Sequence, residues 1–168
     1  MFTVPKSAEK RQIEVENLVE SVESLKKGGE VVEFNVNIDA KGRLNFPSKL
    51  REEIGNTFYV AKSIGVKCLK VYSESGWKTL VDNMNAAPQT EIAYLRRLVV
   101  GSKQKVEPDK QGRFVISPSL RKYAEIEAEM EVTIIDLEGY AEIWNTANLS
   151  QDTGDVQAMM ALAAKYGL

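Results

Sequence analysis

Two arginines in this chain stand in the same short context. Asp39-Ala-Lys-Gly-Arg43 and Asp109-Lys-Gln-Gly-Arg113 share the pattern Asp-x-x-Gly-Arg and lie seventy positions apart. Each residue type has a separable job. An aspartate that opens a tight turn accepts hydrogen bonds from amides further along its own backbone. Glycine supplies the positive φ that such a turn requires. The arginine then projects a planar, permanently charged donor fork suited to phosphate oxygens or guanine edges. Lys41 and Lys110 add positive charge within the same turns. Two readings of the arginines stay open at this level. Each could staple its own turn through its aspartate, or each could be presented outward. The two are compatible, since a carboxylate can hold a presented rotamer. A paired-carboxylate enzyme built on Asp39 and Asp109 is a poorer fit, because each aspartate has a local role and lies four residues from an arginine.

The similarity runs beyond the turns. Residues 39–51 and 109–121 are identical at Asp39/Asp109, Gly42/Gly112, Arg43/Arg113, Leu50/Leu120 and Arg51/Arg121. Chance supplies about one identity in such a window. Arg51 and Arg121 fall on short helices, where they read either as solvated charges or as phosphate contacts flanking the turn. A repeat dictates architecture before any other signal does. Two copies are too few for a solenoid and predict two half-folds packed about a pseudo-twofold axis.

Strict alternation over 31–38 predicts a half-buried strand leading into the first turn. Pro47 opens a helix from Ser48 to about Ile54, and in the second copy Ser117 and Pro118 serve as N-cap and first helical position. Strands are predicted at 57–64 and 67–72, matched by 130–136 and 140–144, with Gly65 and Gly139 at the turns. Each repeat is therefore strand, turn, strand, short helix, hairpin. Residues 77–100 are read as a helical link divided at Pro88, with Trp77 and Leu80 facing the sheet. An amphipathic helix is predicted over 8–27, stopped by Gly28-Gly29, lying on its own domain or forming a short oligomerising seam. An Ala/Met-rich helix over 152–166 carries apolar residues around much of its circumference and needs a surface to bury against. The resulting division is an N-terminal extension (1–30), a first repeat (31–76), a helical linker (77–101), a second repeat (102–149) and a C-terminal helix (150–168).

Composition removes several functions. Histidine is absent, which excludes histidine acid–base chemistry, Ser-His and Cys-His nucleophile pairs and the usual zinc sites. The one cysteine, Cys68, permits no intrachain disulfide and sits in a strand-like run, as a small buried apolar residue would. No apolar run approaches a membrane span, and residues 1–30 lack a signal-peptide core, so a cytoplasmic protein is expected. No metal or cofactor is expected, and no enzymatic activity. Net charge is −2, but its distribution matters more than its total. Residues 31–80 hold eight basic and five acidic side chains, and 102–149 hold six and nine. In both repeats the positive charge gathers around the duplicated segment.

These residues resemble the MraZ family, whose members carry two SpoVT/AbrB-type half-folds in one chain. The resemblance spans roughly 31–149. It rests on both turns, the following F-P-S-K-L-R and I-S-P-S-L-R, the strand K-C-L-K-V-Y, Trp77, D-K-Q-G-R-F-V-I and the strand ending A-E-I-W at Trp144. It implies an α+β, mainly β fold: a swapped-hairpin β-barrel of two pseudo-symmetric repeats with linking and terminal helices. It also implies a DNA-binding transcriptional regulator, a repressor at a division and cell-wall gene cluster, gripping short direct repeats of double-stranded DNA as a homo-oligomeric ring in the nucleoid. By that resemblance Arg43 and Arg113 face DNA and Asp39 and Asp109 are their acidic partners. The thirty extra N-terminal residues and the acidic total depart from the family pattern. A non-DNA structural or partner-binding oligomer on the same barrel is the alternative.

Overall fold

The computed structural model describes residues 32–152 and 154–168. The helix expected at 8–27 lies outside the described residues. The ordered elements are β1 (Glu33–Asn37), β2 (Arg43–Asn45), α1 (Ser48–Ile54), β3 (Phe58–Lys62), β4 (Leu69–Ser73), α2 (Glu74–Ala86), α3 (Gln89–Val99), a 3-10 turn (Val100–Ser102), β5 (Gln104–Val106), β6 (Arg113–Val115), α4 (Pro118–Ala124), β7 (Glu131–Asp136), β8 (Tyr140–Asn145), α5 (Thr146–Gln151) and α6 (Val156–Tyr166). The architecture is α+β and its sheets are antiparallel.

Strand order follows from the duplication. One sheet runs β1-β7-β8-β4-β3-β5 and the other pairs β2 with β6. Under the shift of seventy residues β1 corresponds to β5, β3 to β7 and β4 to β8. The first strand of each repeat is therefore hydrogen-bonded to the hairpin of the other: β1 to β7, and β5 to β3. The two hairpins meet at β4–β8. Every strand pairing is thus either within a hairpin or between repeats.

That exchange builds one core from both halves. Leu44, Phe46, Leu50, Phe58, Val60, Ile116, Leu120 and Ile134 are fully buried together. Phe46 and Phe58 lie with ring centroids 4.7 Å apart, and Phe114 from the second repeat meets Phe58 edge-on at 5.6 Å. A smaller cluster forms where α2 and α3 cover the outer face of β3 and β4. Trp77 stacks on Tyr59 at 5.1 Å, with Ala61, Met84 and Val99 buried beside it. Cys68 is buried, and burial pushes its thiol up to about 12, so it stays protonated and unreactive.

Three differences from the sequence expectation have local causes. The linker helix begins at Glu74, because the Ser73 hydroxyl accepts from Gly76 N at 3.0 Å and caps it there. The C-terminal segment is two helices, because Asn145 caps α5 and Asp155 caps α6. The burial expected of the last helix is not supplied by the described residues: α6 is exposed along its length apart from half-buried Ala163.

Replacing Phe46 with alanine removes a fully buried ring shared by both repeats. The Phe46→Ala protein should lose about 3–5 kcal/mol of stability, measured by urea unfolding followed through tryptophan fluorescence. A loss below about 1 kcal/mol would mean that the two repeats do not share one core.

Candidate nucleic-acid interface

Each repeated turn is a closed hydrogen-bonded unit. In the first, Gly42 N donates to Asp39 O at 2.9 Å and Asp39 N donates to Arg43 O at 3.0 Å. Asp39 Oδ1 accepts from the amides of Lys41 and Arg43 at 2.9 and 2.8 Å. Asp109 repeats this with Gln111 and Arg113, both at 2.9 Å. Gly42 and Gly112 sit at φ +78° and +83°, where an L side chain is strained. The backbone amide of Arg43 is the main cause that holds the Asp39 carboxyl below its ordinary range, assisted by the Arg43 side chain and the Lys41 amide; Arg113 and Gln111 do the same for Asp109. Both carboxylates are therefore ionised at neutral pH.

The second carboxylate oxygen takes the arginine. Arg43 Nε donates to Asp39 Oδ2 at 2.6 Å, and Arg113 Nε donates to Asp109 Oδ2 at 3.0 Å. Both readings of the arginines thus hold in part. The guanidinium is stapled to its turn, yet only through Nε. Among the described residues, neither arginine makes a further hydrogen bond through its terminal nitrogens. The arginine side chains are 32% and 33% exposed, which leaves those nitrogens a route outward. Lys41 and Lys110 are exposed beside them.

The turns are brought together by the β2–β6 ribbon. Its register places Arg43 opposite Val115, Leu44 opposite Phe114 and Asn45 opposite Arg113. Leu44 and Phe114 enter the core, so Arg43, Asn45, Arg113 and Val115 share the outer face. Asn45 and Val115 were not singled out from the sequence. The alternation after each arginine was their only signal.

Arg51 and Arg121 do something that spacing along one repeat could not reveal. Arg51 Nε donates to Phe46 O at 3.2 Å, and its guanidinium lies against the turn of the other repeat. A β-carbon at Gly112 would stand 2.8 Å from Arg51 Cζ. Arg121 lies reciprocally against Gly42, where a β-carbon would stand 3.2 Å from Nη1. Its Nε is buried without a hydrogen-bond partner among the described residues. Each short helix thus braces the opposite turn. Among the described residues no cluster of three or more metal-ligating side chains exists, and no helix is long and apolar enough to cross a membrane.

The family model described as "MraZ protein, putative antitoxin-like" matches residues 32–97 and again 99–161, one repeated turn in each segment. Curated relatives match most of the chain. A protein of Finegoldia magna is 38% identical over 125 residues, covering 73% of this chain and 85% of the relative. One from Alkaliphilus metalliredigens is 38% identical and one from Acetivibrio thermocellus 36% identical, each over 126 residues with the same coverage. All three carry the name "Transcriptional regulator MraZ".

The turn glycines should differ in tolerance. Gly42→Ala pays about 1–2 kcal/mol for its left-handed backbone. Gly112→Ala pays the same and also collides with Arg51, which is held on Phe46 O. Thermal unfolding should show the larger loss for Gly112→Ala, partly recovered in the Gly112→Ala/Arg51→Ala double variant. Equal losses without recovery would count against cross-bracing.

Proposed function

The chain belongs to the MraZ family, and from that premise we propose that it is a sequence-specific DNA-binding regulator of transcription. In full, the proposal is a non-enzymatic repressor in the cytoplasm, associated with the nucleoid, which grips short direct repeats as a ring of identical subunits. Its target, a division and cell-wall gene cluster, is taken from the family resemblance. The hairpin exchange supports a closed swapped-hairpin barrel built from repeats 31–76 and 102–149, joined by the linker 77–101.

The observation that carries the reading is the ribbon with its two end-on Asp–Arg pairs. A two-stranded antiparallel ribbon fits the major groove of B-DNA. Each arginine is oriented by its carboxylate while its terminal amino groups stay free to donate to base edges. Lys41 and Lys110, exposed in the same turns, are placed for phosphates, which position the protein without reading sequence. Arg51 and Arg121 contribute charge behind the turns and hold them in place.

A single subunit offers few cations, so affinity must come from repetition. The support for assembly is α6. Val156, Met159, Met160, Leu162 and Tyr166 are all exposed on it, an apolar surface that the described residues leave uncovered. The related names support regulation of transcription; the uncovered α6 would serve equally a partner-binding oligomer that ignores DNA.

Arg43→Ala and Arg113→Ala should each weaken specific binding by about 1–3 kcal/mol, about fivefold or more, in mobility shifts at fixed salt. Lys62→Ala should weaken it less, since Lys62 lies over the Tyr123 ring and off the ribbon. Affinity should also fall steeply with salt. Equal effects of the three substitutions, or a flat salt response, would remove the ribbon as the interface.

Assembly has its own check. Met160→Lys places a charge on the exposed face of α6 without touching the core, so the folded chain should persist with a smaller subunit number in light scattering. An unchanged mass would exclude α6 from the subunit contact.

A further inference from the structure

The two repeats share their arginines but not the residues two positions on. After Arg43 the next outward residue is Asn45; after Arg113 it is Val115. Both are exposed, and Val115 keeps 46% of its surface open. Among the described residues it is the one large exposed apolar side chain within a strand. A lone exposed valine usually needs no explanation, but this one stands directly opposite Arg43, while Asn45 stands directly opposite Arg113. Four side chains of three chemistries therefore form a two-by-two patch on the outer face of the ribbon.

The patch is also held. Gln104 of β5 donates from Nε2 to Val115 O at 2.8 Å and accepts from Ser117 N at 2.9 Å, so one carboxamide clamps the backbone on both sides of Ile116. Seventy positions earlier the residue is Phe34, which cannot form such a clamp. The Asn45 carboxamide, by contrast, makes no side-chain hydrogen bond among the described residues and keeps both its donor and its acceptor.

We propose that Asn45 and Val115 are specificity-determining residues that make the two pseudo-symmetric repeats read different base pairs. This rests on the DNA-binding reading above. Asparagine pairs bidentately with the N6 and N7 edge of adenine, an apolar side chain packs on the thymine C5-methyl, and arginine takes guanine O6 and N7. Outward residues two apart along a strand are about 6.6 Å apart, close to two base-pair steps of about 3.4 Å. A ribbon lying along the groove thus sets each arginine's guanine within about two steps of its neighbour's adenine or thymine. The site read by one subunit is therefore asymmetric, although its two turns are nearly superimposable in sequence.

The test is selection of the full chain, wild type and variants, against a library of randomised duplexes, followed by affinity measurements on the selected sequence. Asn45→Ala should lose discrimination for adenine at one position by about tenfold, with little change in binding to unselected DNA. Val115→Ala should lose discrimination for thymine at another. Uracil in place of that thymine removes only the methyl group, so it should weaken wild type and leave Val115→Ala unchanged; the wild-type half of this arm does not depend on how any variant folds. Unaltered base preferences in both variants, or an equal effect of uracil on wild type and Val115→Ala, would overturn the proposal while leaving DNA binding intact. A wild-type chain that enriches no sequence would overturn this proposal together with the reading on which it rests.

Discussion

Neither repeat can complete its own sheet. The partner of β1 is β7 and the partner of β5 is β3, so each half leaves a strand edge and a set of apolar side chains that only the other half covers. Unpaired strand edges are a liability that proteins bury or pair, and here the pairing is reciprocal. The consequence for the site is geometric. Once β1 and β5 are exchanged, the strands that follow their turns, β2 and β6, pair antiparallel, with one turn at each end of the ribbon. Two arginines seventy residues apart become diagonal neighbours on one face of a single ribbon. The phenylalanines at the centre of the core, Phe46, Phe58 and Phe114, come from both halves, so packing and presentation depend on the same exchange.

The Asp–Arg pair works within that frame. Surface ion pairs contribute little to stability, and these two are about a third exposed. Their importance is directional. Oδ1 of each aspartate is spent on two backbone amides, which fixes the turn, and among the described residues Oδ2 takes only the arginine Nε. A bidentate pair would have consumed a terminal nitrogen and left less for a ligand. Ordering the guanidinium before binding also lowers the entropy lost when it docks. Arg51 and Arg121 extend the same logic from behind, since each packs on the glycine of the opposite turn. A change in one repeat is therefore felt in the site of the other.

Much of this was legible in the residues. The duplicated turn, the strand ahead of it, the capped short helices and the two hairpins follow from alternation, glycine placement and Pro/Ser chemistry, all local signals. The pairing of Asp39 with Arg43 was legible as one of two readings, because both lie within five residues. What escaped was set elsewhere. Arg51 looked like a solvated or phosphate-facing charge because its neighbour, Gly112, is on the other repeat. Asn45 and Val115 passed unnoticed because a reader aligning the repeats attends to identities, and these two positions differ. The helix read over 152–166 called for a surface because its alanines and methionines cover much of its circumference. Asp155 caps its start, and among the described residues no surface covers it.

The difference between the repeats bears on why a duplicated chain would keep both. Two identical halves would present the same chemistry twice and could read only a site with matching symmetry. The core positions that sustain the exchange are constrained by packing at close to crystalline density, so the halves cannot diverge freely inside. The outer face of the ribbon carries no such constraint: Asn45 and Val115 touch solvent while Leu44 and Phe114, one residue away, fill the core. Divergence is therefore cheapest where it alters what the ribbon offers and most costly where it alters what holds the ribbon. An acidic total charge is compatible with this division, because the excess carboxylates of the second repeat follow its turn in sequence while Lys110 and Arg113 remain within it. Under the proposed function, long-range attraction is then weak for one subunit, and short-range contacts on the ribbon, multiplied by the proposed assembly, would supply both affinity and choice of sequence.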